Sequence, residues 1–329
     1  MSQEGDDSGV LTTIACQGGT LRLDVPPEEW DALRADPRAL LWLDLERPSE
    51  AELALLEQHF HLHPLAMEDI RKRNQRPKLD RYDGYVHLVL YSLGLDKAQR
   101  LCRVEIDMII GTNYVITVHP APVPPISALR EHGRLRPDIL QPHPLGFLVY
   151  LLADGLVDGY FPLVDALENR LGELEEQALR GSGQEVLGAI FQLRKDLIAV
   201  RNTVEPSRDV FNVLARRDQS FLDASTTIYF TDVYDHLLRI SSRLDGLREL
   251  AAAALETHLS VQSNQLNLTV ERLTAITLVL MIVTLITGFC GMNVQFPGRD
   301  TPAGLIYAVV LMVAIGLASL YYSHLKGWL

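Results

Sequence analysis

"LTAITLVLMIVTLITGFCGMN", residues 273–293, carries no charged side chain and ends on glycine, methionine and an amide. Its apolar part, residues 273–290, is about 18 residues long, close to the shortest helix that crosses a hydrocarbon core. A second run, "AGLIYAVVLMVAIGLASLYY" at residues 303–322, supplies about 20 more. Two buried core helices are the competing reading. Charge-free runs of this length are rare in soluble folds, and Tyr321, Tyr322 and Trp328 suit an interfacial aromatic belt. Two spans put both chain ends on one side of the membrane. Arg272, His324 and Lys326 flank that side, while the connecting loop sets Arg299 against Asp300. This bias places both ends in the cytoplasm.

The rest of the chain is of another character. Its 329 residues are 47% hydrophobic, with a mean hydropathy of only +0.07, and include 42 acidic and 30 basic side chains. A sizeable water-exposed part joined to a small membrane part fits that mixture. The net charge of -12 argues against a nucleic-acid partner, which needs clustered Lys and Arg. Three scattered cysteines, Cys16, Cys102 and Cys290, make neither a disulfide framework nor a CxxC zinc site. The opening "MSQEGDDSGV" lacks the charged-then-apolar pattern of a signal peptide, so the N-terminal part is expected in the cytoplasm. The sequence has no nucleophile elbow, Gly-rich phosphate loop, HExxH or paired catalytic carboxylates, so no enzyme activity is expected.

Between residues 11 and 118 strand-like and helical runs alternate. "LLWLDL" (40–45), "YVHLVLYSL" (85–93), "EIDMIIG" (105–111) and "YVITVH" (114–119) read as strands. Ser49 with Glu52 forms a capping-box start, and His63-Pro64 opens another helix. From residue 144 the period changes. Residues 147–180 and 184–215 carry apolar side chains at three- and four-residue spacing, with Gly181-Ser182-Gly183 between them, which predicts a helical hairpin. Residues 225–290 contain no proline. One helix of about 65 residues there would extend roughly 100 Å, well past a bilayer, and would form a stalk. The expected fold is an α/β cytoplasmic N-terminal domain joined to a long-helix stalk and two C-terminal transmembrane helices. The boundaries are 1–145, 146–266 and 267–329, with the first span at about 268–290, the loop at 291–302 and the second span at 303–323.

Several stretches together resemble the CorA family of pentameric magnesium and cobalt channels. Gly291-Met292-Asn293 after the first of two C-terminal spans resembles its GMN signature. "HPLAMEDIRKRNQRPK" (63–78), "LLADGLVDGYFP" (151–162), "YFTDVYDHLLRI" (229–240) and "SNQLN" (263–267) follow in the family's order. Three features depart from the pattern. Ile282 and Val283 stand where a proline usually precedes the threonine that is Thr284 here. The loop "VQFPGRDTP" has Gln295 and Arg299 where acids are common. The basic tail is reduced to Lys326 beside His324.

The resemblance implies a homopentameric funnel in the inner membrane, passing magnesium and cobalt, with nickel a further candidate, and gated by intracellular divalent ion. It also leaves open a zinc or transition-metal carrier of the ZntB type, with proton coupling as one way to drive it, and a non-conducting scaffold of the same fold. Asn267, Val270, Thr274, Thr277, Met281, Thr284, Gly288 and Gly291 recur every three or four residues along one face of the first span. The same spacing also suits residues that merely pack helices together. Read as a pore, rings of Asn293 amides and Gly291 carbonyls would hold a hydrated ion, since magnesium gives up its waters reluctantly. Met292 would pack behind them, and Leu273, Met281 and Val270 would close the path by dewetting. The resemblance further implies regulatory ion sites at Glu68, Asp69, Asp154, Asp158, Asp232 and His236. Glu256 would add a negative ring on the stalk.

Overall fold

The computed structural model describes residues 9–133, 144–180, 184–216, 226–292 and 302–325. The chain divides into two compact units, Met1–Leu174 with Gly188–Ala252, and Glu175–Leu187 with Ala253–Leu329.

The first unit is built on a seven-stranded sheet in the order β2-β1-β3-β7-β6-β5-β4. The strands are β1 (Val10–Gln17), β2 (Thr20–Leu23), β3 (Ala39–Glu46), β4 (Lys78–Tyr82), β5 (Tyr85–Leu95), β6 (Leu101–Ile110) and β7 (Tyr114–His119). Only β3 and β7 pair in parallel; every other neighbour is antiparallel. One face carries Leu41, Leu43, Leu45, Ile109, Ile116 and Val118. Three helices cover it: α1 (Trp30–Ala35), α2 (Glu50–Phe60) and α3 (Pro64–Lys72), through Trp30, Leu56, Phe60, Met67 and Ile70. Alternation along each strand sends the other residues to the opposite face. There Asp44 accepts from Thr117 and from Arg130 of α4 (Pro124–Gly133).

Local chemistry sets the helix ends. Ser49 accepts from the Glu52 amide while Glu52 Oε2 accepts from the Ser49 amide at 2.7 Å, closing the expected capping box. His63 Nδ1 caps α3 by accepting from the Leu65 amide, with Pro64 in the first turn. Both helices stop on left-handed residues, His61 and Arg73. The β6–β7 turn requires glycine, because a Cβ on Gly111 would lie 2.0 Å from the Tyr114 ring.

The expected helix over 147–180 is two helices, α5 (Pro144–Asp158) and α6 (Tyr160–Leu179). Gly159 breaks it, and Pro162, lacking an N–H, sits comfortably only in the first turn that follows. α7 (Gln184–Leu214) continues through Pro206, and α8 (Thr227–Gly291) runs unbroken for 65 residues. Within the first unit these helices bury Leu163, Leu167 and Leu171, then Leu193, Leu197 and Val200, then Leu237, Ile240 and Leu244. Each set steps by three or four, the mark of a continuous helical core.

The second unit holds the end of α6, the start of α7, the rest of α8 and α9 (Pro302–Leu325). Among the described residues three helical stretches are long and apolar enough to cross a membrane. In Leu145–Leu179 half of the apolar window is buried, which makes it core. In Thr227–Phe289 and Pro302–Leu325 the buried share is 6% and 0%. Apolar surface that bare has lipid as its natural solvent.

Candidate metal-ion sites

The lower part of α8 has two unlike faces. Ala275 is 1% exposed, and Val279, Ile282, Val283 and Ile286 are half-buried. At about 100° per residue these positions share one side. Asn267, Val270, Leu273, Thr274, Thr277, Met281, Thr284, Gly288 and Gly291 are all exposed and fall on the other side. The threonines are internally satisfied. Thr274, Thr277 and Thr284 donate to the carbonyls of Val270, Leu273 and Leu280 at 2.7–2.8 Å. With the proton committed to the backbone, each hydroxyl offers only its acceptor lone pairs outward.

α8 ends without a left-handed turn. Neither Gly288 nor Gly291 has a positive φ, and the Met292 amide instead donates to the Phe289 carbonyl at 3.2 Å, a tightened last turn. A Cβ on either glycine would meet nothing within 4 Å, so packing within this chain does not demand glycine there. Met292 is 52% exposed rather than packed within the chain. Asn293 and the loop bearing Gln295, Arg299 and Asp300 lie outside the described residues, as do Lys326 and Trp328.

A second constellation forms where α5 meets the start of α8. His236 and Asp232 are one turn apart on α8, and Asp154 and Asp158 are one turn apart on α5. His236 Nδ1 lies 3.4 Å from Asp158 Oδ1 and 3.9 Å from Asp154 Oδ1, and its Nε2 lies 3.8 Å from Asp232 Oδ1. Asp154 Oδ1 and His236 Nδ1 are buried with no hydrogen-bond partner. Ligand atoms of Asp154, Asp232 and His236 all lie within 4.8 Å of one another. Burial pushes the Asp154 carboxyl above its ordinary range, and the charges of Asp158 and Asp232 add to this against the opposing pull of His236. Burial and the Asp154 charge drive the Tyr150 phenol up to about 12. The three carboxylates repel one another, and a divalent cation held between them with the imidazole as a neutral ligand would relieve the repulsion.

The two acids on α3 sit elsewhere. Glu68 pairs with Lys72, and Asp69 accepts from Gln75 Nε2 at 2.9 Å and from Lys78 Nζ at 2.7 Å. Glu256 is exposed on α8. Near Asp69 stand Asp80 and His87, which no motif in the sequence marks as a site. The missed signal was the Asp83-Gly84 turn. Gly84 takes a φ of +81°, and the two-residue loop pairs Tyr82 with Tyr85 and therefore Asp80 with His87.

An α/β domain, a helix longer than a bilayer and two lipid-suited helices define a membrane protein, and its clustered acids and imidazole are fit for divalent cations. The chain matches the family model of the CorA-like Mg2+ transporter protein over residues 38–326, and it belongs to that family. It is 35% identical to the putative metal ion transporter YfjQ of Bacillus subtilis, over 88% of this chain and 90% of that one. It is 31% identical to the cobalt/magnesium transport protein CorA of Thermotoga maritima, over 83% and 78% of the two chains. The fold superposes on the complete structure of the CorA magnesium transporter from Methanocaldococcus jannaschii with a TM-score of 0.83. That match spans 96% of this chain and 98% of the other at 23% identity. The members of this family are transporters rather than enzymes, and this chain is a divalent metal ion transporter of the membrane.

Proposed function

We propose that the chain forms a homopentameric channel in the inner membrane, both termini cytoplasmic, and imports magnesium and cobalt down their electrochemical gradient. The observation that carries this reading is the exposed stripe from Asn267 to Gly291, opposite the shielded side of α8. The Asn267 amide and the outward lone pairs of Thr274, Thr277 and Thr284 on that stripe are costly against lipid, so the stripe belongs on a water-filled axis shared by several copies. Asn293 would hold hydrated ion at the outer mouth beside the Gly291 carbonyl. Leu273, Met281 and Val270 would form the dewetting constrictions. The inward-negative potential supplies about 2.3 kcal/mol per charge per 100 mV, enough for a divalent ion without another energy source.

The parts divide by role at the expected boundaries. Residues 1–145 would sense ion, 146–266 would transmit its state, and 267–329 would conduct. Asp154, Asp158, Asp232 and His236 would bind regulatory magnesium with Glu68 and Asp69 of a neighbouring subunit, and Glu256 would gather cations along the stalk. The near-neutral loop, with Gln295 beside Arg299 and Asp300, favours a second reading, a ZntB-type zinc or transition-metal carrier driven by protons.

Uptake of magnesium, cobalt and zinc into liposomes holding the purified protein separates these readings. A channel takes up magnesium under a negative inside potential with no pH gradient, and Asn293→Ala abolishes that uptake while the assembly persists. Zinc uptake that needs a pH gradient would replace the channel with the carrier. No uptake of any ion would leave a scaffold.

A further inference from the structure

His87 has no part in that reading, yet it is placed with care. It is fully buried on β5, and its Nε2 lies 2.7 Å from Asp107 Oδ1, which is buried as well. A carboxylate only accepts, so Nε2 carries the proton and Nδ1 is left as a bare lone pair. That nitrogen is buried and has no hydrogen-bond partner. Buried polar atoms are rarely left so, because each lost hydrogen bond costs stability.

Two carboxylates stand beside it. Asp80 pairs with His87 across the β4–β5 ladder, and Asp69 comes from α3. One ligand atom from each of Asp69, Asp80 and His87 lies within 4.8 Å of the other two. With Nε2 taken by Asp107, the nitrogen available to this group is Nδ1. A cation already lies between the carboxylates: Lys78 Nζ is 2.7 Å from Asp69 Oδ2 and 2.6 Å from Asp80 Oδ2. The ammonium has no lone pair to accept from and cannot use the imidazole as a metal does. An imidazole whose far nitrogen is held by a buried carboxylate is the usual support for a metal-bound histidine.

We infer that Asp69, Asp80 and His87 form a site within one chain for a divalent transition-metal ion of the zinc or cobalt kind, which displaces the Lys78 ammonium and occupies the bare Nδ1. The nitrogen ligand sets the ion class, since imidazole suits zinc, cobalt and nickel while magnesium prefers oxygen and water. The site shares Asp69 with the proposed regulatory set but rests on contacts within one chain. It stands or falls apart from the transport reading.

The test uses the full-length protein in detergent carrying His236→Asn, which removes the imidazole of the other cluster. Cobalt is titrated in excess magnesium, with bound ion counted by equilibrium dialysis and followed by its visible absorption. One equivalent per chain should persist, and Asp80→Asn should weaken it at least tenfold. Lys78→Met should tighten it several-fold, a gain that misfolding cannot produce. His87→Gln should change the visible spectrum or abolish it. Loss of all cobalt binding with His236→Asn alone, or unchanged affinity in Asp80→Asn or in Lys78→Met, would overturn the assignment.

Discussion

If the proposed site is right, Asp154 ties ion binding to stability. Its pKa is raised by burial first and by neighbouring acids second. The fold therefore takes up a proton between the ordinary carboxylate value and the raised one, and ion-free stability falls as pH rises through that window. A bound divalent cation acts in the opposite sense. Its contribution would be full above the window and fade as the carboxyl protonates on acidification. Asp154→Asn should raise the thermal midpoint in chelator at neutral pH and shrink the rise that magnesium gives the parent protein. An undiminished magnesium increment in the variant would make Asp154 an ordinary helix-surface acid. Part of this site was legible in the sequence, since Asp232 and His236 are four apart and must share a helix face. That Asp154 Oδ1 is buried there without a hydrogen-bond partner was not legible, because it depends on how α5 packs on α8.

At the scale of elements, α8 was the most legible part of the chain. The absence of proline over residues 225–290 and the merging apolar period predicted one long helix, and it spans Thr227–Gly291. The small or polar residues of its stripe were also visible as a spacing. Spacing alone did not say which side of the helix is shielded, and Ala275 and Val279 supply that answer. β4 was missed because "KLDRY" is polar and edge strands need little apolar alternation. The break at Gly159 was missed because apolar spacing continues across it. The two faces of α8 make a paired prediction. Met281→Ser, on the stripe, should wet a constriction and raise resting magnesium uptake severalfold in liposomes. Val279→Ser, two residues away on the shielded side, should leave uptake per assembled protein unchanged and lower thermal stability. Equal effects from the two would remove the distinction between the faces.

The whole molecule adds long-range charge. A net charge of -12 sits mostly in the water-exposed part, whereas the loop between the spans sets Asp300 against Arg299. At the mouth of a channel, a loop so close to neutral would concentrate cations only weakly. Gln295→Glu should raise initial uptake at low magnesium, and the gain should shrink in high salt as the Debye length falls from about 10 Å at 0.1 M to about 3 Å at 1 M. A gain that salt leaves untouched would point to a local contact instead of a field.

The central claim is that the exposed stripe of α8 lines the path of the ion, and thiol block of flux in liposomes tests it most directly. Single cysteines are placed at Thr277, Met281, Thr284 and Gly288 and, as controls, at Val279 and Ile282, in a background with Cys16, Cys102 and Cys290 replaced by alanine. A positively charged methanethiosulfonate reagent is added, and magnesium uptake is followed before and after. If the stripe lines the path, uptake falls severalfold at the four stripe positions and persists at the two controls. Block at Val279 and Ile282 with none on the stripe would contradict it.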